Sequence, residues 1–361
     1  MEFYHFVEQT IQLDNREERA RVEHFLANHS LRLEADVDYS IAIYRQGMVV
    51  ATGSLAGNVL KCIAVDPEYE GRGIAGRVVS RLVAEAYSRG LLHLFIYTKP
   101  ENAGKFSQLG FYKIIEVPAG VVLMENRPDG ITAYLKQLKK YKRSANMVAS
   151  IVVNCNPFTK GHQYLIEKAA RACELLHLFV VWEDRSVFPP EVRYQLVKDG
   201  IKHLPNVEVH KGKDYIISNV TFPTYFIKSP DEAVKTQSLL DIKIFAKFIA
   251  PALGIKRRYV GTEPDCPVTG RYNQTMKTVL PGYGIEVIEL PRLSIKGVVV
   301  SASQVRKHLR QKELHLVKEL VPEITYNFLR SKDADSILEK IGNEAGGGLI
   351  GAKKNRNGRH T

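Results

Sequence analysis

Cysteine is scarce in this chain. Cys62, Cys155, Cys173 and Cys266 are all it has in 361 residues, and none is spaced Cys-x-x-Cys. That excludes a disulfide-stapled scaffold and argues against a zinc site, so no metal-ligating residues are expected. Long apolar runs are missing too. None approaches the ~20 residues that span a bilayer, so no membrane role is expected. Met1-Glu2-Phe3-Tyr4-His5 lacks the basic start and apolar stretch of a secretory signal, and a cytoplasmic location is the expectation. No internal repeat and no Gly-x-x-x-x-Gly-Lys-Ser/Thr loop occurs, which sets aside solenoids and P-loop ATPases. The net charge of +12 comes without an aromatic–basic ribonucleoprotein pattern, so no nucleic acid partner is expected. A basic surface attracts acidic proteins and anionic small molecules just as readily.

An apolar fraction of 45% and a charged fraction of 25% are those of a soluble globular protein, and the length suits two domains with separate cores. The pattern divides the chain into residues 1–130, a linker helix over 131–146, a second domain over 147–330, and a helical end and basic tail over 331–361. Leu135 and Leu138 among Lys136, Lys139, Lys140 and Lys142 give the linker the look of a surface helix. Lys353, Lys354, Arg356 and Arg359 follow Gly346-Gly347-Gly348 without periodicity, the composition of a disordered tail.

In the first domain, Ser40–Tyr44 and Met48–Ser54 read as adjoining strands turned at Gly47, with another strand at Leu60–Val65. Ile74, Val78, Val79, Leu82 and Ala86 mark one face of a helix over Gly71–Ala86, and Leu92–Tyr97 is the next strand. The second domain opens with the apolar run Met147–Val153, a loop to His162, a helix over Gln163–Leu175 and a strand at Leu178–Trp182. Further strands are expected at Val207–His210, Arg258–Val260 and Ile285–Leu290. The fold class is α/β: a mixed sheet first, then a Rossmann-like parallel sheet. Ligands of such sheets bind beyond the carboxyl ends of the strands.

Asn154-Cys155-Asn156-Pro157-Phe158-Thr159-Lys160-Gly161-His162 leaves the opening strand and enters the helix. Gly161 lets backbone come close to phosphate, and His162 in the first turn can stabilise charge on a phosphoryl group. Thr159 can donate a hydrogen bond, and Lys160 is a mobile cation. An ordinary strand-to-helix turn, with Thr159 as cap and His162 at the surface, would use the same four residues. Val300-Ser301-Ala302-Ser303-Gln304-Val305-Arg306 enters a second helix after the last strand. Helix amides with Ser301, Ser303 and Arg306 make an anion site there, while Ser301-x-x-Gln304 also reads as a capping box. Cys155 reads as strand-end packing rather than a nucleophile.

Thr159, Gly161 and His162, together with Val300-Ser301-x-Ser303-x-x-Arg306, resemble the two signatures of the [His/Thr]-x-Gly-His nucleotidyltransferase superfamily. The stretch Asn154–Leu165 narrows the likeness, with Phe188-x-x-Glu191-x-Arg193-Tyr194, Gly261-Thr262-Glu263-Pro264 and Tyr272-Asn273-x-x-Met276. These are similar to the citrate lyase ligases, over residues 1–330. The resemblance implies an AMP-forming acid–thiol ligase using ATP and Mg²⁺. Acetate would give acetyl-adenylate and pyrophosphate. The thiol of a coenzyme-A-like group on the acyl carrier subunit of citrate lyase would then take the acetyl. It also implies His162, Thr159 and Lys160 at the α-phosphate, and Ser301, Ser303 and Arg306 on the pyrophosphate. Asn154, Gly161, Gly261, Thr262 and Glu263 would contact the nucleotide. Glu263 reads equally as a surface carboxylate, and Arg271 as a contact to acetate or phosphate or as a solvated arginine.

Glu70-Gly71-Arg72-Gly73-Ile74-Ala75 and Asn102-x-x-x-Phe106-x-x-Leu109-Gly110-Phe111 resemble the GNAT acetyltransferases, which implies their fold for residues 1–130. Glu70 stands where that family has Gln or Arg. A carboxylate beside a pyrophosphate weakens binding unless Arg72 or Arg77 offsets it. The domain therefore reads as a cradle for the coenzyme-A-like arm, or as a structural relic, ahead of an acetyltransferase. Two other activities stay open. One is an adenylyltransferase acting on a phosphorylated acceptor of the pantetheine-phosphate or nicotinamide-mononucleotide type. The other is a GNAT acetyltransferase with a nucleotide-binding second half.

Overall fold

The computed structural model describes residues 6–117, 120–182, 186–216, 230–263 and 267–343. Met1–His5, Pro264, Cys266 and the glycine- and lysine-rich tail from 344 onward lie outside the described residues. The chain forms two compact units, one of Met1–Lys142, Asp214–Gly254 and Asp265–Gly284, the other of Arg143–Lys213, Ile255–Pro264 and Ile285–Thr361.

The first unit carries β1 (Val7–Thr10), α1 (Arg16–Asn28), β2 (Tyr39–Arg45), β3 (Met48–Ala56), β4 (Val59–Val65), α2 (Ile74–Ser88), β5 (Phe95–Thr98), α3 (Pro100–Ser107), β6 (Tyr112–Val117), β7 (Val121–Glu125) and α4 (Gly130–Lys139). Its mixed sheet runs β1-β2-β3-β4-β5-β7-β6. Gln46 and Gly47, at φ 51° and 79°, turn β2 into β3, as a two-residue hairpin loop requires. β4 and β5 run parallel and pair only at Val59–Phe95 and Leu60–Ile96, so they diverge toward their carboxyl ends. Helix α2 buries the expected face, Ile74, Val78, Val79, Leu82 and Ala86. It lies so close to β3 that a Cβ on Gly53 would sit 2.5 Å from Val78 Cγ1. The strand expected from Leu92 starts instead at Phe95, because the Leu94 N–H is taken by the Asn126 side chain.

The helix expected as a surface linker is packed: α4 buries Ile131, Tyr134 and Leu138 in the first unit. Its first turn is held by the buried Glu125 carboxylate. That group accepts from Ile131 N–H (2.9 Å) and the Tyr215 hydroxyl (2.6 Å), and lies 2.7 Å from His93 Nε2. Tyr215 and Asp214, which accepts from Asn58 Nδ2, bring the chain back to this unit after residue 213. There α7 (Pro230–Ile244) packs on β6 and on α9 (Pro267–Val279), with α8 (Ala250–Leu253) between them in sequence. By packing, the second unit takes in 143–213, 255–264 and the chain from 285 onward. Apolar periodicity shows that a helix has a core-facing side, and it is silent on which core receives it.

The second unit is built on five parallel strands. They are β8 (Val148–Val153), β9 (Leu175–Val180), β10 (Val207–Lys211), β11 (Arg257–Gly261) and β12 (Glu286–Leu290), ordered β10-β9-β8-β11-β12. The order reverses between β8 and β11, and this is the crevice where such sheets bind ligands. α5 (Lys160–Arg171) and α6 (Pro190–Gly200) pack on it through Ile166, Ala169, Leu196 and Val197. α5 starts and ends earlier than expected, and β9 begins at Leu175 rather than Leu178. Leu175–Val180 is buried throughout, and such a run reads equally as helix or strand. A hairpin of β13 (Ser294–Ile295) and β14 (Val298–Val299) leads to α10 (Ala302–Arg310), α11 (Leu314–Leu320), α12 (Glu323–Leu329) and α13 (Asp335–Asn343). These helices share an apolar core with Phe188 and Val300, and Ile337 and Ile341 of α13 belong to it. Among the described residues, no helix is long and apolar enough to cross a membrane.

His177 on β9 and His210 on β10 are both buried, Nδ1 to Nε2 at 2.9 Å. Burial holds both rings well below the ordinary histidine range, with Arg143 adding to the effect on His177 and His177 to that on His210. The unfolded chain binds protons here at higher pH than the folded one does. Stability is therefore full above about pH 6.5 and falls as the pH drops, at up to about 1.4 kcal/mol per pH unit for each ring. The urea midpoint at pH 5 should lie below that at pH 7.5, and His210→Gln should flatten the difference. A midpoint indifferent to pH in the wild type would contradict this.

Candidate active site

The segment after β8 is shaped from beneath. Cys155 takes φ 53° and is buried, which raises its thiol pKa and leaves it a packing residue. Phe158 is fully buried below the turn. Gly200 of α6 makes its space, since a Cβ there would sit 2.4 Å from the Phe158 ring. The buried Arg193 guanidinium then pins the loop. Nε donates to Phe188 O (2.9 Å), and Nη1 reaches Asn154 O (2.8 Å), Asn154 Oδ1 (2.6 Å) and Val181 O (2.7 Å). Asn156 Oδ1 accepts from Phe188 N–H at 3.0 Å. Asn154 is thus exposed but fixed.

Thr159 caps α5. Its Oγ1 accepts from His162 N–H (3.4 Å), and its own N–H donates to His162 Nδ1 (3.1 Å), a reciprocal capping box. A backbone N–H can only donate, so Nδ1 is the acceptor and a neutral His162 carries its proton on Nε2. Burial lowers the pKa of this half-buried ring to about 4, and the Arg292 guanidinium acts in the same direction. His162 is therefore a neutral hydrogen-bond donor at physiological pH. Phe158 lies near-parallel to it at 6.3 Å. Thr159 is 1% exposed, with its hydroxyl 2.8 Å from His162 Nδ1, so it orients the ring. Lys160 Nζ reaches Lys318 O at 3.4 Å.

Gly161 faces protein rather than open space. A Cβ there would lie 2.8 Å from the Val300 carbonyl, so the first turn of α5 and the approach to α10 touch through backbone. The same two segments are tied by Arg306, whose Nη1 donates to Asn156 O and whose Nη2 lies 3.3 Å from Ser303 Oγ. Ser301 caps α10, its Oγ accepting from Gln304 N–H at 3.2 Å, and Ser303 is exposed in the first turn. The structure therefore brings Thr159–His162 and Ser301–Arg306 together at the carboxyl edge of β8.

Gly261 ends β11, and Thr262 and Glu263 follow it on the same edge. Thr262 N–H donates to Leu290 O (2.9 Å), and Glu263 is ion-paired with Arg292, which also donates through Nε to Thr262 O (2.6 Å). Arg271 is exposed on α9, which groups with the first unit. Tyr272, bonded to Asp241, and the buried Asn273 and Met276 join α9 to that unit's packing. Arg193 and Arg292 were not among the expected site residues. A basic residue inside the apolar face of α6 pointed to the first, and the position after a parallel strand pointed to the second. No cluster of metal-ligating side chains occurs among the described residues.

The first unit has a cavity of about 510 Å³ where β4 and β5 diverge, lined by Ile63, Val65, Gly71, Gly73, Tyr97 and Asn102 among others. Glu70 at its mouth is paired with Lys105 (3.1 Å), whereas Arg77 is engaged by Glu8. Lys105 is a cation that offsets Glu70, and Arg77 is turned to Glu8 instead.

One unit is thus a parallel sheet with Thr159–His162 and Ser301–Arg306 brought together at its carboxyl edge, and the other is a mixed sheet on the same chain. Residues 148–329 match the citrate lyase ligase C-terminal domain, and residues 5–113 match the acetyltransferase (GNAT) family. A [citrate [pro-3S]-lyase] ligase of Klebsiella pneumoniae is 43% identical over 321 residues, 88% of this chain and 94% of that protein. The Escherichia coli (strain K12) ligase is 41% identical over 86% of this chain and 90% of its own. A phosphopantetheine adenylyltransferase of Streptococcus gordonii is 41% identical too, but over only 15% of this chain and 34% of its own. The chain belongs to the [citrate [pro-3S]-lyase] ligase family.

Gly161→Ala should force α5 and the Val300 segment apart. It should lower stability by about 1–3 kcal/mol and weaken ATP binding, measured by urea denaturation and calorimetry. Wild-type stability in that variant would mean the contact yields freely.

Proposed function

We propose that the chain activates acetate with ATP and passes the acetyl group to the thiol of a coenzyme-A-like arm on the acyl carrier subunit of citrate lyase. The observation that carries this reading is the juncture of the two phosphate segments through Gly161 and Arg306, in a chain of this family. An acetate oxygen attacks the α-phosphorus and the bond to the β-phosphate oxygen breaks, releasing pyrophosphate. The thiol sulfur then attacks the acetyl carbon, the bond to AMP breaks, and the thiol proton passes to solvent. His162 donates from Nε2 to an α-phosphoryl oxygen, a hydrogen bond that strengthens as charge builds there. Thr159 keeps the ring in that tautomer. Lys160, Ser301, Ser303, Arg306 and the first amides of α10 receive the outgoing pyrophosphate. Asn154, Gly261 and Thr262 border the nucleoside, and Gly161 keeps the floor narrow. Mg²⁺ would arrive with the nucleotide and would supply neutralisation of its outer phosphates.

ATP–pyrophosphate exchange with a panel of carboxylates tests this. Exchange should depend on acetate and fall about 10²-fold or more in His162→Ala. Exchange without any carboxylate, or only with a phosphorylated acceptor, would refute it.

The cavity of the first unit supports a role as a cradle for the carrier's arm. Its divergent strands suit an extended amide chain, and the start of α2 suits a phosphate. Ala75→Glu, which adds an acid at that helix start, should leave acetate-dependent exchange unchanged while raising the KM for the carrier. An unchanged KM would make the cavity a relic.

A further inference from the structure

Arg292 follows β12 at the carboxyl edge of the parallel sheet, and its side chain is held on several sides. Nε donates to the Thr262 carbonyl at 2.6 Å, and Nη2 is paired with the Glu263 carboxylate. Its backbone N–H donates to Thr262 Oγ1 at 3.3 Å. The remaining terminal nitrogen, Nη1, has no hydrogen-bond partner among the described residues, and the side chain is 26% exposed. A guanidinium fixed by two of its nitrogens, with the third uncommitted, is oriented for a ligand that accepts two hydrogen bonds and carries negative charge.

We infer that Arg292 is a catalytic residue of the transfer step, its Nη1 donating to an α-phosphate oxygen alongside His162 Nε2, with Glu263 and Thr262 as positioning residues. Arg292 follows β12 and His162 stands in the first turn of the helix after β8, so both lie at the carboxyl edge of the one parallel sheet, and His162, being neutral, supplies a hydrogen bond without charge. As the acetate oxygen closes on phosphorus, negative charge gathers on the α-phosphoryl oxygens, and a fixed permanent cation answers it without reorganising. The pair with Glu263 keeps the guanidinium from turning to solvent. Glu263 thereby acts through Arg292 rather than on adenine or ribose. This rests on the ligase reading of the site.

The test uses the full chain with Arg292→Gln, Arg292→Lys and Glu263→Gln, each followed by acetate-dependent ATP–pyrophosphate exchange and by the ¹⁵N NMR titration of His162. Arg292→Gln should lower kcat about 10²–10³-fold while moving the KM for ATP less than about threefold. Arg292→Lys should recover part of that loss, and Glu263→Gln should cost about 10-fold to 100-fold, as loss of an orienting partner does. The pKa of His162 should rise in Arg292→Gln and stay low in Arg292→Lys. If Arg292→Gln exchanges within about threefold of wild type, or Lys restores no more than Gln with His162 unmoved, the residue is structural and the inference is overturned. A wild-type chain without acetate-dependent exchange would overturn the ligase reading itself, which is a different result.

Discussion

The backbone of Gly161 lies against the carbonyl of Val300 at a spacing that no side chain would permit, and the site is organised around that approach. Each segment alone is a capped helix start. Brought together, they set a histidine donor beside a second helix N-terminus, two serines and an arginine. The Arg306 bond to the Asn156 carbonyl holds the same juncture from the other side. Because the contact is made by backbone, its geometry depends on the sheet and helices behind it: Phe158 seated in the gap at Gly200, and Val300 seated in the core of the four C-terminal helices.

Charge around this juncture is divided by burial. Arg193 is buried and spends its donors on carbonyls and on Asn154, so it fixes the loop and offers nothing to a ligand. His162 is kept neutral. Arg292 sits at the edge, half-committed to Glu263 and Thr262. An inner cation for shape, a neutral donor and an outer cation for charge is a workable order for phosphoryl chemistry. Permanent charge is cheapest where water still reaches it, and strongest in effect where the substrate displaces that water.

The first unit shows a comparable compromise. Its sheet diverges between β4 and β5 and opens a cavity, yet the loop at the mouth carries Glu70, neutralised by an exposed Lys105. The segment 214–254 joins this unit rather than the one it interrupts, held where Tyr215 donates to the buried Glu125 and where Gly130 leaves room for that carboxylate.

Much of the fold is legible in the sequence by itself. The face of α2, the β2–β3 hairpin, the opening βαβ unit and the two helix starts at Thr159 and Ser301 are local patterns of period, turn and cap, and the chain carries them wherever it goes. Boundaries at Leu175 and Phe95 were less legible, because a buried run has no alternation to read and a side-chain hydrogen bond can end a strand early. Asn154, Thr159 to His162, Ser301, Ser303 and Arg306 were visible as residue types at a spacing. That Gly161 serves a protein carbonyl, that Thr159 aims a ring and that Glu263 is bound to Arg292 were not. Residue order alone determined which chemistry this protein could attempt. Tertiary structure decided which groups share a site and which of them remain uncommitted, because those depend on contacts between residues some 140 positions apart, such as Gly161 and Val300.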